Sequence, residues 1–200
     1  MARPRHVTIS VFVALLLLSA CAPSVPGESS RTATPSPSTP EASESPAAPE
    51  KLVLPSCDDL FQDSTEAALT AGGLEPIGDT SGPGQGGYGA SDPSLQAMIE
   101  ANESVSCTWV LPGSERGLST SVTIASDSDR EAVAAALLAA GFTHASAVGD
   151  SYSMESGGEY PHTETHALYE DFWVATVDSF GTDASLYTED AMGTVIQLNS

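Results

Sequence analysis

Val105-Ser106-Cys107-Thr108-Trp109-Val110-Leu111 alternates with a period of two, and its reading decides the fold. Successive side chains of a strand point to opposite faces, so Val105, Cys107, Trp109 and Leu111 share one face, which should be core. Pro112-Gly113 then turns the chain. Leu118, Thr120, Val122 and Ile124 form one face of a second strand, and the two strands should pair as a hairpin. Further along, Thr165–Tyr169 and Phe172–Ser179 read as a second hairpin with its turn at Glu170-Asp171. In the latter strand Trp173, Ala175 and Val177 alternate with Phe172, Val174 and Thr176, so both faces carry apolar groups. Such a strand belongs in the middle of a sheet, covered on both sides. A turn at Gly149-Asp150-Ser151 leads into one more strand.

Helices occupy the gaps between these strands. Ser56-Cys57-Asp58-Asp59 reads as a helix start with Ser56 as N-cap, Leu60, Phe61, Ala68 and Leu69 as the apolar stripe, and Gly72-Gly73 as the stop. Asp92-Pro93 starts a second helix, in which Leu95, Met98 and Ile99 fall on one side. Ser128 and Glu131 have the spacing of a capping box ahead of an alanine- and leucine-rich helix that ends at Gly141. A last helix runs from about Ala184, with Tyr187, Ala191, Val195 and Leu198 in line. The expected fold class is α+β: an antiparallel sheet of about four to five strands, three to four helices and one domain over residues 52–200.

The N-terminus concerns location. Arg3 and Arg5 precede an apolar run from Val7 to Leu18, followed by Ser19-Ala20-Cys21. The order is that of a secretory signal, and Leu18-Ser19-Ala20-Cys21 resembles the lipobox of bacterial lipoproteins. That resemblance implies cleavage after residue 20 and a diacylglyceryl group, with acyl chains of the palmitate kind, on the sulfur of Cys21. The apolar run is shorter than the roughly 20 residues that span a bilayer. Residues 21–51 are rich in Pro, Ser, Thr, Ala and Glu, without apolar periodicity, and read as a disordered tether. At about 3.1 Å per residue, thirty residues of extended proline-rich chain reach at most roughly 90 Å.

Assigning Cys21 to lipid leaves Cys57 and Cys107, fifty residues apart. Outside the cell such a pair reads as a disulfide, and no CxxC spacing suggests zinc. The chain carries 27 acidic residues against 6 Lys and Arg, for a net charge of −21. So acidic a protein is repelled by nucleic acid and has no electrostatic hold on anionic lipid, so the membrane must be reached through the lipid anchor. Acidity favours a cationic ligand or an envelope protein as partner. The expected state is a monomer.

Chemistry-bearing motifs are sparse. The Gly-rich stretch from Gly78 to Ser91 lacks the Lys and spacing of a phosphate loop and reads as a mobile excursion. Ser126-Asp127-Ser128-Asp129 lacks the Gly and distal Glu of a calcium loop. Gly149-Asp150-Ser151 is similar to the Gly-Asp-Ser of an esterase family, yet no Asp-x-x-His follows. The most ligand-like set is His162, Glu164 and His166, which on a strand face the same way and would suit zinc or copper.

With Pro55-Ser56-Cys57, Leu60 and the Cys107-Thr108-Trp109 strand, the arrangement resembles small actinobacterial cell-envelope lipoproteins of unknown function. The resemblance implies an exported α+β domain with a structural disulfide, and it assigns no functional site. Three functions follow as expectations. The first is a lipid-anchored extracytoplasmic binding or interaction module of the cell membrane, without cofactor and leaning away from catalysis. The second is a cell-wall hydrolase using Ser151 or an acid pair with His144, His162 or His166. The third is a metal chaperone or sensor using His162, Glu164 and His166.

Overall fold

The structure is a computed structural model that describes residues 51–82, 84–145 and 149–200. The chain divides into units 1–47 and 48–200, and every described residue belongs to the second. The signal segment 1–20, Cys21 and the tether as far as residue 50 lie outside the described residues.

In chain order the elements are α1 (Asp63–Ala71), β1 (Glu75–Asp79), α2 (Pro93–Ala101), β2 (Ser104–Val110), β3 (Gly117–Ile124), α3 (Asp127–Ala140), β4 (Thr143–Ala145), β5 (Asp150–Ser156), β6 (His162–Tyr169), β7 (Phe172–Asp178) and α4 (Ala184–Leu198). The strands form one seven-stranded sheet in the order β1-β2-β3-β7-β6-β5-β4, and every neighbouring pair is antiparallel. Among the described residues the fold is α+β with four helices, but the sheet exceeds the four to five strands expected. β1 escapes a period-two reading because Pro76 and Gly78 interrupt it at a bulge. Both residues are tolerated there because β1 is an edge strand. At the opposite edge, β4 is only three residues long.

Both hairpins form, but β6 begins at His162 rather than Thr165, and Leu111 lies past the end of β2, half-buried rather than in the core. In β2–β3, Val105 pairs with Val122, Cys107 with Thr120 and Trp109 with Leu118. In β6–β7, Tyr169 pairs with Phe172, and Glu170 turns the chain in the left-handed region at φ 40°. β7, apolar on both faces, is the middle strand. Its alternation divides the core in two. Phe172 and Val174 join Val105, Cys107, Trp109, Leu118 and Val122 on the first face, against Leu69 of α1 and Tyr187, Ala191, Met192 and Val195 of α4. Trp173 and Ala175 join Tyr152 and Leu168 on the second face, against Leu95 and Ile99 of α2 and Val133 and Leu137 of α3. Each such side chain contributes about 1.5–3 kcal/mol when fully buried, so a sheet covered on both faces has two stabilising cores.

Several local expectations are corrected. Ser56 does not cap a helix: it closes a turn, its hydroxyl donating to Asp59 at 2.6 Å, and α1 begins at Asp63 after Gln62. The chain must first bring Cys57 to Cys107, with Cα atoms 5.4 Å apart, and seat Leu60 and Phe61 in the core. The capping box of α3 is Ser126 with Asp129, not Ser128 with Glu131. Both pairs share the i, i+3 spacing, and the winner is the one whose first residue is still extended, at ψ 167°. Leu198 is 48% exposed rather than core.

The Gly-rich stretch is also not a simple excursion. Residues 87–90 form a buried strap across the second face. Gly89 donates its N–H to Ser121 Oγ at 2.9 Å, and the Gly87 carbonyl accepts from Thr80 and Thr108. Tyr88 donates to Glu100 at 2.7 Å, and burial together with that carboxylate pushes its phenol up to about 12. Glycine is needed because the strap lies against backbone, where a Cβ on residue 89 would overlap the Ala175 carbonyl.

Candidate functional site

The register of β4, β5 and β6 decides which side chains can meet. His166 pairs with Tyr152 of β5, which pairs with His144 of β4. Ser151 pairs with Ala167 of the first-face core. Ser151 therefore faces away from His144, His162 and His166, and the serine–histidine arrangement expected of a hydrolase does not form through Ser151. Ser151 instead lines a hydroxyl-rich hollow of about 660 Å³ beside α4, with Thr143, Ser153, Thr165 and Thr188.

On the second face, His162, Glu164 and His166 share one side of β6 as the i, i+2, i+4 spacing requires. They are bonded to one another and to the protein rather than arranged as an open ligand set. His166 Nε2 lies 2.7 Å from Glu164 Oε1, and Trp173 donates its indole N–H to His166 Nδ1 at 3.1 Å. An indole N–H can only donate, so Nδ1 is the acceptor and Nε2 carries the hydrogen. Both ring nitrogens of His166 are thereby engaged. Phe142 meets the ring edge-on and Trp173 stacks on it. Among the described residues, no group of three His, Cys, Asp or Glu is placed to hold a metal ion.

Glu164 is fully buried and accepts hydrogen bonds on both oxygens. Besides His166, Ser91 donates its N–H to Oε1 at 3.2 Å and its hydroxyl to Oε2. Burial pushes this carboxyl up, but the hydrogen bonds from His166 and from Ser91 outweigh it and hold the group below the ordinary glutamate range. Hydrogen bonds to a charged group are worth about 1.5–3 kcal/mol each, so the set can offset desolvation. A carboxylate so held is a weak proton acceptor. The Ser91–Glu164 contact thus serves to fasten the strap to β6 rather than to activate a nucleophile.

This network adjoins a cleft of about 780 Å³ at the end of the sheet where β6 begins and β7 stops. Ser91, His162 and Val177, the last the cross-strand partner of Glu164, line it together with Tyr160, which is 67% exposed. A smaller hollow of about 260 Å³ continues it across β3, sharing Ser91, Glu115, Arg116, Val177 and Ser179.

Among the described residues its charged lining is Glu115, Glu155, Glu159 and Asp178, with one guanidinium, Arg116, and His162 and Tyr160 beside them. Arg116 donates to the carbonyls of Ser179 and Phe180 and lies over the Phe180 ring at 5.6 Å. It is committed to the loop after β7. Asp178 accepts from the N–H groups of Phe180 and Thr182 and serves the same loop.

Of the residues singled out in the sequence, the fold brings together His162, Glu164 and His166, and separately Cys57 and Cys107. His144 stands apart, 3.5 Å from Asp150 at the surface. Ser91, Trp173, Arg116 and Tyr160 were not legible as site residues. Ser91 is 73 positions from Glu164, and no local pattern links them. A scan against protein-family models, a search of curated proteins and a search of solved structures each found no match.

Proposed function

We propose that the protein is a lipid-anchored extracytoplasmic binding module of a bacterial envelope whose ligand is cationic and sits in the cleft at the end of the sheet. The observation that carries the reading is the charge of that cleft. Among the described residues Glu115, Glu155, Glu159 and Asp178 line it against one guanidinium, Arg116, so carboxylates outnumber the cation there. A concave acidic surface concentrates cations and selects for them. The weakly basic Glu164 and the separation of Ser151 from the histidines favour binding over hydrolysis. Anchoring rests on the lipobox at Leu18-Ser19-Ala20-Cys21 and its resemblance to lipoprotein signals.

Each half of the proposal has its own test. Expressed in a bacterium that processes lipoproteins, Cys21→Ala should appear in the medium while the parent chain stays with membranes. Retention of the variant with membranes would contradict lipid anchoring. For the cleft, calorimetric titration of the full chain in detergent with tetralysine should show saturable binding. The surface double variant Glu155→Gln/Glu159→Gln should weaken it about tenfold or more, the scale of losing two favourable charge contacts at roughly 0.5–1 kcal/mol each. Equal affinity in the variant would place the peptide elsewhere.

A further inference from the structure

The first face of the sheet changes character where α4 ends its cover. α4 packs on β6 and β7. Beyond it, first-face residues of β5 and β4 carry hydroxyls and line the hollow of about 660 Å³. Ser151 and Ser153 alternate along β5 with Tyr152 and Met154, which pack in the second core. One side of β5 is thereby held in apolar packing, and the other is left to hydrogen-bonding groups. Among the described residues no Lys, Arg, His or aromatic ring lines this hollow, and its carboxylates, Glu155, Asp183 and Glu189, are all exposed. Its interior is neutral. An anion finds no counter-charge there. A cation that left the exposed carboxylates for the hydroxyls would lose hydration without gaining a paired charge.

The hydroxyls that a ligand meets divide into acceptors and donors. Thr143, exposed on β4, donates to the Ser153 carbonyl at 3.0 Å, so its oxygen keeps its lone pairs. Ser153, half-buried on the neighbouring strand, shares one hydrogen bond of 3.3 Å with Thr165. Such a bond uses a single hydrogen. Thr165 is 4% exposed, and buried polar groups are nearly always paired, so Thr165 is the donor. Ser153 then has its own hydrogen to give into the hollow. The register sets Thr143 directly opposite Ser153, which puts an acceptor beside a donor. Glu155 follows Ser153 on the same face and, when ionised, only accepts. Such a set matches a ligand whose neighbouring groups each donate and accept, as the hydroxyls of a sugar ring do. The methyl groups of Thr143 and Thr163 and the side chain of Met154 line the same hollow and offer its C–H surface apolar contact.

We propose that this hollow binds an uncharged glycan, the hydroxyls of one sugar ring donating to Thr143 and Glu155 and accepting from Ser153. The site goes beyond the cation cleft and does not rest on it. Binding through neutral hydroxyls is insensitive to salt, whereas the attraction of a cation to exposed carboxylates is screened.

The test titrates the full chain, in a detergent without a sugar head group, with two neutral trisaccharides, maltotriose and triacetylchitotriose. The readout is the backbone amide resonances of Thr143 and Ser153, with the Trp109 indole N–H in the first-face core as internal reference. At least one trisaccharide should shift both amides saturably and leave Trp109 in place, with the same midpoint at low and high salt. Ser153→Ala removes the free donor and Thr143→Val the acceptor beside it. Each should weaken binding about fivefold or more, the scale of one lost hydrogen bond. Silence of both amides toward both trisaccharides would overturn the proposal. So would binding that neither variant weakens, or binding that salt abolishes. Tetralysine binding in the cleft is a separate measurement, so the two readings fail independently.

Discussion

Removing the Cys57–Cys107 bond is expected to lower stability by roughly 4 kcal/mol, through the entropy of the freed chain in the unfolded state. The bond closes a sequence separation of 50 and ties the segment before α1 to β2. In Cys57→Ala/Cys107→Ala the melting temperature should fall by about 8–16 °C, at some 2–4 °C per kcal/mol for a domain of this size. The loss is not only entropic. Cys107 is fully buried in the cluster with Trp109, and Phe61 packs on Trp109 at 4.9 Å between ring centroids. Freeing residues 52–61 loosens Leu60 and Phe61 on that face. Thiol labelling of the native chain should find neither Cys57 nor Cys107 reactive. Two reactive thiols, or a double variant that melts with the parent, would refute the bond's role.

Gly89→Ala is expected to cost about 3 kcal/mol or more, at the upper end of what overpacking does. A Cβ at residue 89 would overlap the carbonyl oxygen of Ala175 in the middle strand and lie 2.8 Å from the Ser121 nitrogen. Both obstacles are backbone and cannot swing aside. The strap must lift, and with it go the Gly89–Ser121 bond, the seat of Tyr88 and the hold of Ser91 on Glu164. Urea unfolding would measure the loss, and the Trp173 indole resonance should move because its link to Glu164 is disturbed. Gly157→Ala is the control. A Cβ there meets nothing within 4 Å, and its midpoint should match the parent. An unchanged Gly89→Ala protein would show that the strap does not lie on the sheet as described.

The candidate site was legible only in part. The spacing of His162, Glu164 and His166 places them on one side of a strand, and that much is geometry of the chain itself. Their chemistry depended on residues from other elements. Trp173, across the β6–β7 hairpin, sets the tautomer of His166. Ser91, from the end of the strap, supplies two of the donors that keep Glu164 ionised. A trio that reads as metal ligands in isolation becomes a bonded carboxylate–histidine pair with His162 beside it, because these neighbours take the other lone pairs and hydrogens.

What the sequence determined by itself were the features written in local periodicity: both hairpins, the central position of Phe172–Asp178, the start of α2 at Asp92-Pro93, the close of α3 at Gly141, and the cysteine pairing. Each follows from side-chain alternation, fixed φ preferences or counting, and none needs a distant partner. The tertiary structure alone decided that β1 and β4 join the sheet, since a bulged edge strand and a three-residue strand carry no pattern until a neighbour offers them hydrogen bonds. It alone turned the Gly-rich stretch into a strap, because close approach to the backbone of β7 is what glycine at residue 89 is for. It alone placed Ser151 and the histidines on opposite faces, since alternation specifies that two faces exist and only pairing register says which side chains share one.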